Sequence, residues 1–209
     1  MNLTSNNDNK SSFCFSFDDF MAKPFNLLTV MPYGDWYDYA MGYIQAAGVL
    51  IEQLDEKNPN LERKSAIFPI LFCSRQYIEL MIKFFIVYGD FVLEKIPNYK
   101  KFNHHLPSLW HEAQTRLEAI PLDVSQNEYM IIKQIVDEFT LADPASANFR
   151  YPKDKQNDPL IKNVWSINLV RLYERMHEIC DLFEPMANDL SVHVKLRRIE
   201  LNGPLEECY

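Results

Sequence analysis

An all-α protein is the fold class this chain predicts, on three observations. Only 5 glycines occur in 209 residues, and 12 prolines punctuate long stretches rich in Leu, Ile, Met, Glu and Tyr. Apolar residues recur along those stretches at threes and fours, as an amphipathic helix requires, and no regular succession of alternating strands appears. With 47% of its residues apolar and 13% aromatic, the chain has material for one sizeable core. The expected architecture is a bundle of about five long helices over residues 33–190, preceded by a disordered or irregular arm over 1–32 and followed by a tail over 191–209.

The arm is assigned from its composition: residues 1–12 are rich in Asn and Ser, and the aromatic stretch 13–32 is interrupted by Pro24 and Pro32. The first helix is expected over 35–56, with Tyr39, Tyr43, Ala46, Ala47, Leu50 and Leu54 as its apolar stripe, ended by Asn58-Pro59-Asn60. The second, over 62–88, is apolar on most of its surface, which makes it the central element; Pro69 is expected to kink it or shift its start. Residues 89–102 read as a loop. Asn103 is placed to cap a third helix over 103–120, where Pro107 falls in the tolerant first turn and Leu106, Leu109, Ala113 and Leu117 form the inner stripe. A fourth helix over 125–141 opens on Ser125 with Glu128 three residues on, the pattern of a capping box, and stops at Asp143-Pro144. A long loop over 145–159 then leads to a last helix over 163–190.

The charge balance excludes some functions. Against 21 Lys and Arg stand 29 Asp and Glu, a formal net charge of -8, which argues against binding duplex nucleic acid by bulk electrostatics. Two segments depart from the acidic background: residues 62–116 hold 8 basic against 5 acidic side chains, and residues 146–175 hold 6 against 3. The first also contains His104, His105 and His111. Such segments read either as a local anion site or as ordinary solvated helix faces. Cys14, Cys73, Cys180 and Cys208 lie far apart without a CxxC pair, so a reduced, cytoplasmic protein is expected. No apolar run approaches the roughly 20 residues of a membrane helix, so no membrane partner is expected. There is no HExxH pair, Gly-rich phosphate loop or Gly-x-Ser-x-Gly elbow, and no metal or cofactor is expected.

Four polar features remain within the apolar pattern. Arg75, Glu79 and Lys83 stand one helical turn apart, either a buried ion-pair ladder or a net positive stripe facing an anion. His104 and His105 open the third helix, where the positive end of the dipole favours anions and a neutral imidazole can serve as a general base; His105 is taken as the candidate. Trp110, beside the apolar stripe, reads as a core anchor. In the loop, Phe149 and Tyr151 flank Arg150, which extended geometry sends to the opposite face, back towards Arg75 and His105, while Asp154 is placed to orient it.

Taken in order, Ser74-Arg75-Gln76-Tyr77-Ile78-Glu79-Leu80 with Lys83, then His105 ahead of Leu109-Trp110, then Asp143-x-x-Ser146 and Phe149-Arg150-Tyr151-Pro152-x-Asp154, the chain resembles bacterial HEPN-like helical proteins over about residues 62–185. The resemblance implies a helical bundle that commonly dimerises. It also implies a metal-independent ribonuclease or an RNA-associated module of toxin-antitoxin and defence systems. Catalytic HEPN ribonucleases carry an Arg, then four to six residues, then a His, usually with a polar residue directly after the Arg. The match here is Arg171 with His177, and Leu172 follows the Arg. Six residues along a helix turn two side chains about 120° apart, a poor shared site. The expectation is therefore RNA or nucleotide binding through Arg75, Lys83, His105 and Arg150, with Glu79 and Asp154 orienting them. The alternative is a non-catalytic interaction, immunity or antitoxin-type subunit with a protein partner.

Overall fold

The computed structural model describes residues 35–54, 63–96, 102–161 and 166–202. The expected arm over 1–32, the Asn58-Pro59-Asn60 stop, Cys14 and Cys208 lie outside them. The described residues are all-helical: α1 (Trp36–Gln53), α2 (Arg63–Val92), α3 (Leu106–Leu117), α4 (Gln126–Ala142) and α5 (Leu169–Asn202). They contain no strand, only one isolated bridge between Lys153 and Pro159. The helix α2 packs against α1, α3 and α5, and α4 closes the bundle between α3 and α5.

Local chemistry starts the helices. Asp35 caps α1 in a reciprocal box with Asp38, and its second carboxylate oxygen accepts the Tyr88 hydroxyl at 2.6 Å, tying the cap to α2. The face that α1 buries is Ala40, Ala47 and Leu54, with Tyr43, Ile44, Leu50 and Ile51 half-buried. Tyr39 and Ala46, expected in the stripe, turn outward. Ser125 and Glu128 form the expected box on α4, and the Ser125 N–H and hydroxyl hold the Glu128 carboxyl below its ordinary range.

Several boundaries differ from expectation, among them those of α3, which runs Leu106–Leu117 in place of the expected 103–120. Pro69 neither ends nor delays α2, because Ala66, Ile70 and Leu71 around it are buried and their packing offsets the lost hydrogen bond. The helix also continues through Gly89 to Val92, because the glycine is there for a close approach: a Cβ on it would lie 3.0 Å from the Cβ of Arg116 on α3. Arg116 seals that crossing with two hydrogen bonds to Asp90, at 2.6 and 3.2 Å. At the other end, α5 starts at Leu169, six residues later than expected, and runs through Pro185 and past Leu190 to Asn202. Most of the stretch read as a tail is therefore helix, held by buried Val194 and by Arg197, which reaches Glu94 at 2.7 Å.

The core centres on Phe183 of α5, whose ring meets those of Tyr77, Phe85 and Trp110 at centroid distances of 6.1, 5.2 and 6.2 Å. Trp110 is a core anchor, 2% exposed. From Arg75 to Asp90 nearly every α2 residue is buried, so the central position expected of this helix is the one it occupies. Among the described residues no helix is long and apolar enough to cross a membrane.

Candidate functional site

The polar line on α2 lies inside the bundle. Glu79 is fully buried, Arg75 is 1% exposed and Lys83 7%. Glu79 Oε2 accepts from Arg75 Nη1 at 2.8 Å, and Oε1 accepts from Lys83 Nζ at 2.6 Å. Three further hydrogen bonds from Arg75 go to other elements. Its Nη1 also donates to Ser146 Oγ at 2.8 Å, its Nη2 to the His104 carbonyl at 2.6 Å and its Nε to the Asp143 carbonyl at 3.4 Å, with Asp143 Oδ2 at 3.5 Å. One guanidinium thus joins α2, the entry to α3 and the loop after α4. Lys83 is enclosed between the rings of Trp36 and Phe102, each centroid 5.8 Å from its ammonium.

This is the ladder reading of Arg75, Glu79 and Lys83, and it leaves neither cation an open face for a ligand. Burial pushes the Glu79 carboxyl up, but Lys83, by hydrogen bond and by charge, and then Arg75 and His104 outweigh it and hold the group below the ordinary carboxylate range. Asp143 works on the loop side: its Oδ1 accepts the N–H groups of Ala147 and Asn148 at 2.8 and 3.0 Å. That turn carries Ser146 into the left-handed region, at φ 57°, and aims its hydroxyl at Arg75.

The two histidines at the start of α3 have separate roles. His105 is the N-cap, its Nδ1 accepting from the Ser108 N–H, while the Asn103 side chain, expected to be the cap, accepts from the His105 N–H. His104 instead places Nδ1 2.8 Å from Glu79 Oε1. A carboxylate only accepts, so Nδ1 of the ring carries a proton. The His104 side chain is 57% exposed. A buried carboxylate thus orients a largely exposed imidazole, the geometry of a positioned general base or, with both nitrogens protonated, of a phosphate donor.

The loop candidates divide in the same way. Arg150 is exposed; its Nε donates to the Ser146 carbonyl, and its guanidinium lies 5.5 Å from the Tyr151 ring centroid. It is linked to Arg75 only through Ser146 and does not meet His105. Tyr151 is 57% exposed and Phe149 5%, so the two aromatics face opposite ways, one to solvent and one to the core. Asp154 orients no cation: its Oδ1 caps its own turn by accepting the N–H groups of Gln156 and Asp158, and Asn157 adopts φ 68° there. Arg171 and His177 both lie exposed on α5 and line different cavities. Arg171 stands at 3.7 Å from Glu138, and His177 packs edge-on against Tyr173 at 4.2 Å between centroids.

Sequence reasoning passed over His104 in favour of its neighbour. The signal that separates them is the cap: the histidine at the N-cap position spends its side chain on its own helix, so the one before it is free to turn elsewhere. Among the described residues no group of three or more His, Cys, Asp or Glu side chains is arranged to hold a metal ion. Compared with family models, curated proteins and solved structures, the chain has no match. The HEPN resemblance therefore rests on the order and spacing of its own residues.

Proposed function

We propose that this protein is an HEPN-like module that engages RNA or a nucleotide phosphate at the open edge of its buried network, through His104 and Arg150. The observation that carries the reading is the 57% exposed His104 imidazole held by Nδ1 on fully buried Glu79. Arg75, Glu79 and Lys83 are the frame of this site rather than its contacts. Arg150 adds an exposed guanidinium beside exposed Tyr151, a pairing suited to a phosphate with a stacked base. In a chain of net charge -8, such a site acts by local contacts to a single strand or nucleotide and not by a general field.

Filter binding and cleavage of a cellular RNA pool by the purified chain, across a salt series without added metal, tests the reading. Binding is expected to weaken with salt. His104→Asn, which keeps an amide N–H for Glu79, and Arg150→Ala are each expected to weaken it tenfold or more with helicity unchanged. His105→Ala is expected to leave RNA binding in place while costing about 1 kcal/mol of stability as a lost cap. Turnover lost in His104→Asn would make the site a ribonuclease centre. Wild type that retains no RNA at low salt overturns the proposal.

A second reading, a homodimer or protein-binding subunit, is favoured by one observation. Val192, Leu196 and Ile199, at four and three residue spacing, line an outward face of α5 with 52%, 53% and 44% exposure. Sedimentation of the full chain at micromolar concentration reads self-association directly, and a monomer at that concentration removes the homodimer.

A further inference from the structure

A second candidate site lies away from His104, between the end of α4 and the start of α5. A cavity of about 570 Å³ opens there, within the roughly 300–1,000 Å³ range of small-molecule sites. Its floor is apolar and well packed: Leu71, Phe139, Phe149 and Leu172 are between 5% and 8% exposed, and Ala142 keeps the wall low where α4 ends. Water gains few hydrogen bonds against such a floor, so an apolar group that displaces it is favoured.

The mouth is charged, and its charges are unequally used. Glu138 accepts two hydrogen bonds from Arg175, at 3.1 and 2.8 Å, and the remaining arm of Arg175 donates to Glu178 at 2.6 Å. Arg175 is thereby held between two carboxylates. Arg171, one turn earlier and also at the mouth, reaches Glu138 only at 3.7 Å, and its side chain is 62% exposed. The first turn of α5, with Asn168 accepting from the Arg171 N–H at 3.1 Å, adds the positive end of a helix dipole on the same side.

We propose that this cavity binds a small apolar monocarboxylate, its hydrocarbon body against Leu71, Phe139 and Leu172 and its carboxylate forked on Arg171. The planar guanidinium matches a carboxylate with two parallel hydrogen bonds. Glu138 at the same mouth repels a doubly charged phosphate more than a single negative charge, which selects the monoanion. The site shares no residue with the His104 edge and stands or falls separately from it.

Calorimetric titration of the full-length chain with decanoate below its micellar range, beside decan-1-ol, tests the assignment. Decanoate is expected to saturate one site per chain. Arg171→Met keeps an apolar stem without the charge, and is expected to weaken decanoate tenfold or more while leaving decan-1-ol unchanged. Ala142→Trp, which fills the cavity, is expected to abolish both, and His104→Asn to alter neither. The assignment is overturned if decanoate gives no saturable heat, if wild type and Arg171→Met bind it alike, if Ala142→Trp binds it unchanged, or if His104→Asn loses it. Should Ala142→Trp fail to fold, Arg171→Met decides alone, since its exposed side chain leaves the Glu138–Arg175 pair intact.

Discussion

On α2 and on α5 the same residue types stand one turn apart and do opposite things. Arg75, Glu79 and Lys83 are enclosed, and their charges meet one another, the His104 carbonyl and the Asp143–Ser146 turn. Arg171, Arg175 and Glu178, with Glu138 across from them, lie at the surface with water on one side. In the first group every charge is out of water and depends on its partners; in the second, solvent replaces a lost partner at little cost. An Arg–Glu spacing therefore carries no fixed meaning until burial is known: it is a frame in one place and an adjustable rim in the other.

The sharpest way to break this contrast is Glu79→Gln. It leaves Arg75 and Lys83 buried without a counter-charge, and the expected loss is about 3–5 kcal/mol of unfolding free energy by urea titration, enough to unfold a marginal protein. The same carboxyl contributes to the acid limit. Its folded pKa is lowered, so the stability it contributes is present above the ordinary carboxylate pKa and is lost as pH falls through the depressed value. The acid limb of a stability-versus-pH curve should flatten in Glu79→Gln, measured where enough folded variant remains. If the variant is as stable as wild type, the network is not the frame described.

A middle-sized effect is expected of Ser146→Ala, which removes the acceptor of one Arg75 Nη1–H in a buried setting, at about 1–3 kcal/mol. The variant keeps the backbone carbonyl that holds Arg150, so it should lower stability while leaving RNA retention per folded chain in place. The smallest effect belongs to Glu138→Gln on the exposed rim: about 0–1 kcal/mol, shrinking further as salt is raised. A loss from Glu138→Gln as large as that from Glu79→Gln would erase the distinction between the two regions.

Much of the fold could be read from the residues alone, because it depends on periodicity. The inner stripe Leu106, Leu109, Ala113 and Leu117 is buried as its spacing requires, and the Ser125–Glu128 box forms where both residue types meet the first turn of α4. The ends were less legible. Gly89 signals a turn in any local rule, and only the arrival of Arg116 from α3 shows that it serves a helix crossing. Likewise α5 outlasts its expected end because Val194 and Arg197 find partners that no sequence window contains.

At the candidate site, local spacing already places the chemistry: Arg75, Glu79 and Lys83 on one line of α2, two histidines at a helix start, and Asp143, Ser146 and Arg150 in one loop. These follow from short-range spacing, which a chain carries with it. Packing between distant elements is what encloses Arg75 and Lys83, sets His104 rather than His105 on Glu79, and puts Arg171 at the mouth of an apolar cavity. Those outcomes depend on burial and on partners 25 to 71 residues away in sequence, and desolvation by distant elements decides whether a charge is a frame or a hand.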